Sequence, residues 1–198
     1  MVSERRVRTE QKAATRARIL AAARTQLEQS GYDATNIRGI AKAAGVSTGS
    51  VLLHFADKQD LLHAALFDDL ASRWSAARAS KRHKSLEAAL VAIAKVFFDY
   101  YAERPKLSRA LLRESLFADP PWNQRFAVQV ADVHHHVAGL FAAAQARGEV
   151  AASADPALFG AAFFSFYYFA LLAWLQGGLP DPLRLFRSLL KSHLEKLS

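Results

Sequence analysis

Between Thr35 and Leu62 the chain reads TNIRGIAKAAGVSTGSVLLHFADKQDLL, and the glycine near its middle leaves few ways to fold it. Ile37, Ile40 and Ala41 recur at the three- and four-residue spacing of one helical face, and Ala44-Gly45-Val46 then breaks the period with a residue that tolerates positive φ. The pattern predicts a short helix, a tight corner and a second helix. Ser47 can cap that second helix through its hydroxyl, Thr48, Gly49 and Ser50 open it with small side chains, and Val51 and Phe55 supply its inward face. A helix with so small a first turn can lie close to a base edge. In a helix-turn-helix the N-terminal residues of the second helix reach the bases while the first helix crosses the backbone. Gly45 and Gly49 then serve the corner and the close approach.

These residues resemble the tetracycline-repressor (TetR) family. Thr35, Ile40-Ala41, Ala44-Gly45-Val46-Ser47, Gly49, His54-Phe55, Lys58 and Leu61-Leu62 stand in the register of its motif, residues 16–30 look like its first helix, and Gly31 to Thr35 like the connection that follows. Recognisable motif covers about the first third of the chain. One position departs: the family usually carries a phosphate-contacting Tyr three residues after the recognition-helix glycine, and Leu52 stands there, which implies one lost backbone hydrogen bond. The resemblance implies an all-α chain with a three-helix DNA-binding domain over 1–57 and a ligand-binding and dimerisation domain over 58–198, with no cofactor expected; the absence of cysteine fits a cytoplasmic, reducing compartment.

Composition narrows the classes. A chain of 198 residues with 52% hydrophobic content can bury a sizeable core. It has no cysteine, hence no disulfide framework, thiolate metal site or thiol redox switch. No secretory pattern opens it. The net charge of +8 favours a polyanionic partner, yet it divides equally between residues 1–60 and 61–198. The local excess is more telling: before position 19, Arg5, Arg6, Arg8, Lys12, Arg16 and Arg18 face only Glu4 and Glu10. Such an arm can sit on phosphates or in a minor groove, or stand as a solvated, frayed terminus.

Past this segment no strand alternation or internal repeat occurs, and everything reads as helix. Helices are expected over 58–80, 86–103 with Ser85 as its cap, 106–116, 122–147, 156–175 and 182–197, with a basic loop at 79–85, which makes nine in all. The segment PALFGAAFFSFYYFALLAWL, 156–175, holds no charge and must be covered on every side. Its length also suits a membrane span, against which stand Gly160, two mid-helix tyrosines and the lack of flanking basic clusters. With the apolar stripe Leu183, Leu185, Phe186, Leu189, Leu190 and Leu194 it can instead build a two-fold homodimer interface through 156–175 and 182–197. Two copies held one DNA turn apart read a palindromic operator in double-stranded DNA.

Candidate DNA contacts follow from chemistry and from the resemblance. Thr48 and Ser50 can reach a base or a phosphate, Leu53 a thymine methyl, and Arg38 a guanine bidentately. His54 and Lys58 match phosphate-contacting positions. Thr35 or Asn36 caps the first motif helix, leaving its N–H groups for phosphate. For a small-molecule effector the aromatic-rich interior supplies Phe97, Tyr101, Leu112, Phe117, Trp122, Phe126, Val130, Phe163 and Phe166, with Glu114, His134 and Tyr167 as polar tips, although each of these also suits plain core packing. His134, His135 and His136 point about 100° apart on a helix and cannot converge on one metal ion. No phosphate loop, nucleophile elbow or paired zinc histidines suggest an enzyme. A ligand-responsive dimeric repressor is the expectation, and a ligand-independent architectural DNA-binding protein the alternative.

Overall fold

A computed structural model describes residues 2–79, 83–115 and 117–197, and among them the chain forms nine helices and no strand. They are α1 (Val2–Ala34), α2 (Ile37–Ala44), α3 (Thr48–Leu52), α4 (Lys58–Arg78), α5 (Leu86–Glu103), α6 (Pro105–Ser115), α7 (Trp122–Ala146), α8 (Pro156–Leu175) and α9 (Pro182–Leu194). The largest departure from the sequence reading is α1, which begins at Val2 rather than near residue 16, so the basic arm is helical. Gly31 interrupts it with φ 77°, a conformation that costs other residues strain. The expected loop at 79–85 and the end of the 106–116 helix fall partly outside the described residues; within them, the Ser85 hydroxyl accepts the Ala88 N–H as a cap should.

Two compact units result, Met1–Asp69 with Arg104–Trp122, and Leu70–Glu103 with Asn123–Ser198. In the first, α1 buries the stripe Ile19, Leu20, Ala23 and Leu27, joined by Ile40, Val51, Phe55, Leu61 and Leu62 from α2, α3 and α4 and the segments between them. Each fully buried Leu or Ile stabilises by roughly 1.5–3 kcal/mol. The unit also takes in α6, through buried Leu107 and Leu111. Glu28 on α1 accepts the Leu107 N–H at 3.1 Å, so a carboxylate from another helix satisfies an otherwise orphaned donor in the first turn of α6. Arg24 pairs with Asp69 at 2.6 Å and fastens α1 to α4.

In the second unit, α5, α8 and α9 meet around Phe186, whose ring lies 6.2 Å from Phe98 and 5.4 Å from Phe163. Phe141 of α7 stacks on Phe159 of α8 at 4.2 Å. Trp74, in the last third of α4, donates its indole N–H to Asp132 of α7 at 2.6 Å. Glu149 accepts the first N–H of α5 at 2.9 Å. The uncharged α8 therefore has one side packed, by Phe159, Phe163, Tyr167, Ala170 and Leu171, and another that its own unit leaves uncovered. Leu158 and Phe169 on that other side are 70% and 60% exposed, with exposed Ala161 and Ser165 between them. By length and a mean hydropathy of 1.8, α8 could also cross a membrane.

Candidate nucleic-acid interface and ligand region

Short-range capping builds the candidate DNA-facing surface. Asn36 stands in extended conformation before α2 and its side chain accepts the Gly39 N–H at 2.9 Å. Gly45 ends α2 in the left-handed region at φ 65°, and the Val46 N–H returns to the Ala41 carbonyl at 3.0 Å. The Ser47 hydroxyl then accepts the Ser50 N–H at 3.0 Å and starts α3. That helix has five residues, and Val51 is the one it buries. Thr48 and Gly49 are exposed, Ser50 is half-buried, and Leu53, just past the helix, is 82% exposed. Arg38 and Lys42, one turn apart on α2 and both exposed, line with Asn36, Ser47 and Thr48 a groove of about 600 Å³. Lys42 was missed from sequence, although its i, i+4 spacing from Arg38 was the available signal.

Two expected contacts change character. Thr35 is only 3% exposed, and its hydroxyl donates to the Gly31 carbonyl at 2.7 Å. Its side chain closes the α1–α2 corner instead of reaching DNA, and Asn36 alone caps α2. Lys58 is half-buried; its ammonium donates to the Tyr32 carbonyl at 2.9 Å and lies 4.1 Å from the Tyr32 ring centroid. It ties the start of α4 to the end of α1. Tyr32, which sequence reasoning passed over, receives the Arg113 guanidinium on its ring as well, at 5.8 Å. His54 is half-buried beside Phe55, and burial, with Lys12 and Arg16 nearby, holds its pKa below 6.5. A neutral imidazole there can still donate a hydrogen bond to a phosphate.

The twelve expected ligand-pocket residues do not share one unit. Leu112, Glu114, Phe117 and Trp122 lie in the first. Trp122 stacks on His63 and Phe67 at 5.4 and 5.2 Å and donates to Asp60, so it is a core residue there. Glu114 pairs with Arg113. Phe117 is 92% exposed, which removes it from the apolar interior assigned to it. The other eight lie in the second unit. Phe97 and Phe98 flank Tyr167 at 5.8 and 5.1 Å, and Tyr101 and Tyr167 share a side-chain hydrogen bond, with burial pushing both phenol pKa values up. His134 meets the edge of Phe164 at 5.3 Å, and its Nε2 is buried without a hydrogen-bond partner. Phe163 is buried, while Phe126, Val130 and Phe166 are half-buried. A cleft of about 630 Å³ opens elsewhere in the unit, between apolar Leu86, Ile93 and Leu140 and polar Arg78, Lys84, His136 and Arg147. No cluster of three metal-ligating side chains occurs among the described residues.

Residues 19–65 match the family model of bacterial regulatory proteins, tetR family. No curated protein is similar enough in sequence to match. Among solved structures, a TetR transcription regulator from Haloarcula marismortui superimposes with a TM-score of 0.79 at 20% identity, covering 93% of this chain and 98% of that one. The transcriptional regulator FadR from Bacillus subtilis, in complex with stearoyl-CoA, gives a TM-score of 0.72 at 18% identity over 92% and 99%. A TetR transcriptional regulator from Chloroflexus aurantiacus gives 0.71 at 24% over 95% and 98%. Residues 19–65 thus carry the N-terminal segment of the tetR family of bacterial regulatory proteins, and the chain shares the fold of these solved structures.

Proposed function

We propose that the protein is a homodimeric transcription repressor that leaves a palindromic operator when a small apolar or aromatic ligand enters its second unit. The observation that carries the DNA half of this reading is α3, a capped five-residue helix with one buried side chain, an exposed tip of Thr48 and Gly49, and exposed Leu53 just past its end. Dimerisation is supported by α8, whose apolar side bearing Leu158 and Phe169 is uncovered in the monomer. An isologous partner would bury it against its own copy. The ligand half is supported by the aromatic and tyrosine cluster of the second unit and by the unpaired Nε2 of His134, a donor or acceptor that a ligand could satisfy. The cleft beside Arg78, Lys84 and Arg147 favours a second form of the same reading, in which the ligand carries an anionic end on an apolar body. The complex of FadR with stearoyl-CoA sets a precedent in the same fold.

Switching would work by differential affinity, with the ligand favouring a packing of the second unit in which α4, the helix that begins in the first unit and ends in the second, holds α3 differently. The test begins with duplexes selected from a random pool by purified protein, measured in a fixed salt concentration against scrambled competitor. A panel of aromatic acids and acyl-CoA thioesters is then added. Preference for one palindrome, lost on adding a stabilising ligand, is the expected result. Binding of a ligand with operator affinity unchanged overturns the switch, and absence of any sequence preference overturns the repressor.

A further inference from the structure

We infer that the helical N-terminal extension, residues 5–16, is a second DNA-binding surface whose basic stripe lies along the phosphates flanking the site read by α3. This rests on the DNA-binding reading of the helix-turn-helix and extends its footprint. Arg5, Arg8, Lys12 and Arg16 follow one another at spacings of three, four and four residues along α1. On an α-helix such positions fall within about 80° of one another, in a single stripe. Arg5, Arg8 and Lys12 are exposed and have no carboxylate partner among the described residues. Arg6 and Glu10 neutralise each other on the opposite side at 3.1 Å. Arg16, at the inner end, pairs with Asp68 at 2.5 Å, so the surplus of positive charge on this face is that of Arg5, Arg8 and Lys12.

Its inner end shows where the stripe leads. The Arg16 guanidinium lies 5.3 Å from the ring centroid of Phe55, the residue that follows His54 at the close of the α3 segment. The positive potential of Lys12 and Arg16 is already felt at His54, where it adds to burial in disfavouring the imidazolium. The stripe is therefore continuous with the surface where His54 sits, and one polyanion can run along both. Arg5 to Arg16 spans about 16 Å along the helix axis, close to half a turn of duplex DNA. Neighbouring like charges at i, i+3 and i, i+4 repel one another in the free helix, a penalty that phosphates remove. Contacts of this kind carry no sequence information, so the stripe should add affinity and salt dependence and leave base preference alone.

The triple variant Arg5→Gln, Arg8→Gln and Lys12→Gln keeps helix-forming side chains and removes the charge. Binding of the full-length variant and wild type is measured between 50 and 200 mM salt, on a selected duplex with and without six flanking base pairs and on a scrambled duplex of equal length. Three lost phosphate contacts per subunit should flatten the slope of log K against log salt by about 2.7 per bound subunit, so wild type loses about 40-fold more affinity per bound subunit than the variant across that range. Preference for the selected over the scrambled duplex should not change, and trimming the flanks should weaken wild type only. A charge-keeping variant, Arg5→Lys with Arg8→Lys, should retain the wild-type slope. Equal slopes and equal indifference to flanks in a folded triple variant overturn the inference while sequence preference stands. Loss of sequence preference in wild type itself sinks the wider reading, and the slopes on the scrambled duplex still decide the stripe.

Discussion

Lys58 is the sharpest place to separate a structural role from a DNA-binding one. Its position in the motif suits a phosphate contact, but in the folded chain its ammonium donates to the Tyr32 carbonyl at 2.9 Å and sits over the Tyr32 ring. Lys58→Met keeps the aliphatic stem and deletes the charge. A hydrogen bond from a charged donor contributes ~1.5–3 kcal/mol, and a partly exposed cation–π contact ~0.5–1 kcal/mol. Two effects act against these. The Tyr32 carbonyl also accepts the Thr35 N–H at 3.2 Å, so it is not left orphaned. A cation in the first turn of α4 opposes the helix dipole, and its removal returns ~0.5 kcal/mol. The net loss should be about 1.5–2 kcal/mol, a fall in Tm of about 3–8 °C for a chain of this size. Thermal and urea unfolding of both proteins, with the salt dependence of duplex binding measured alongside, is the assay. Unchanged stability, with the salt slope shallower by about 0.9 per subunit, would mean that Lys58 serves phosphate and that its tie to Tyr32 contributes nothing.

Other outcomes follow from neighbouring details. Ser47→Ala removes the cap of a five-residue helix and should cost about 1 kcal/mol locally, weakening the selected duplex in band-shift titrations more than it lowers Tm. Arg38→Ala should relax preference at one base pair in a repeat of the duplex selection, and retention of the full consensus would remove it from base reading. Phe169→Glu places a charge on the uncovered side of α8 and should shift the protein from dimer to monomer by light scattering; an unchanged mass would mean the interface lies elsewhere. Burial holds the His63 pKa below 6.5, so the unfolded chain takes up that proton first. Its contribution to stability is complete above that value and is lost as pH falls through and below it, by up to ~1.4 kcal/mol per pH unit until the folded pKa is reached. Urea midpoints at pH 7.5 and 5.5 should therefore draw closer together in His63→Gln than in wild type.

The amino-acid sequence settled by itself what depends on residues within one helical turn of each other. Ser47 capping Ser50, the corner at Gly45 and a cap at Thr35 or Asn36 before α2, which the fold assigned to Asn36, are interactions across three or four positions, as is the periodicity that set most helix bounds to within a few residues. Side-chain type and spacing are enough for these, because the groups that meet are neighbours along the chain. What tertiary structure decided was which exposed-looking groups had been claimed from afar. The hydroxyl of Thr35 turns inward, Lys58 reaches back 26 positions to Tyr32, and Glu28 holds the start of α6 across 79, drawing that helix into the DNA-reading unit. Trp122 went with it, and Phe117 was left outside the apolar interior. An apolar or charged side chain carries the same chemistry wherever it stands, and only the packing of distant segments determines whether a protein group, solvent or a partner satisfies it.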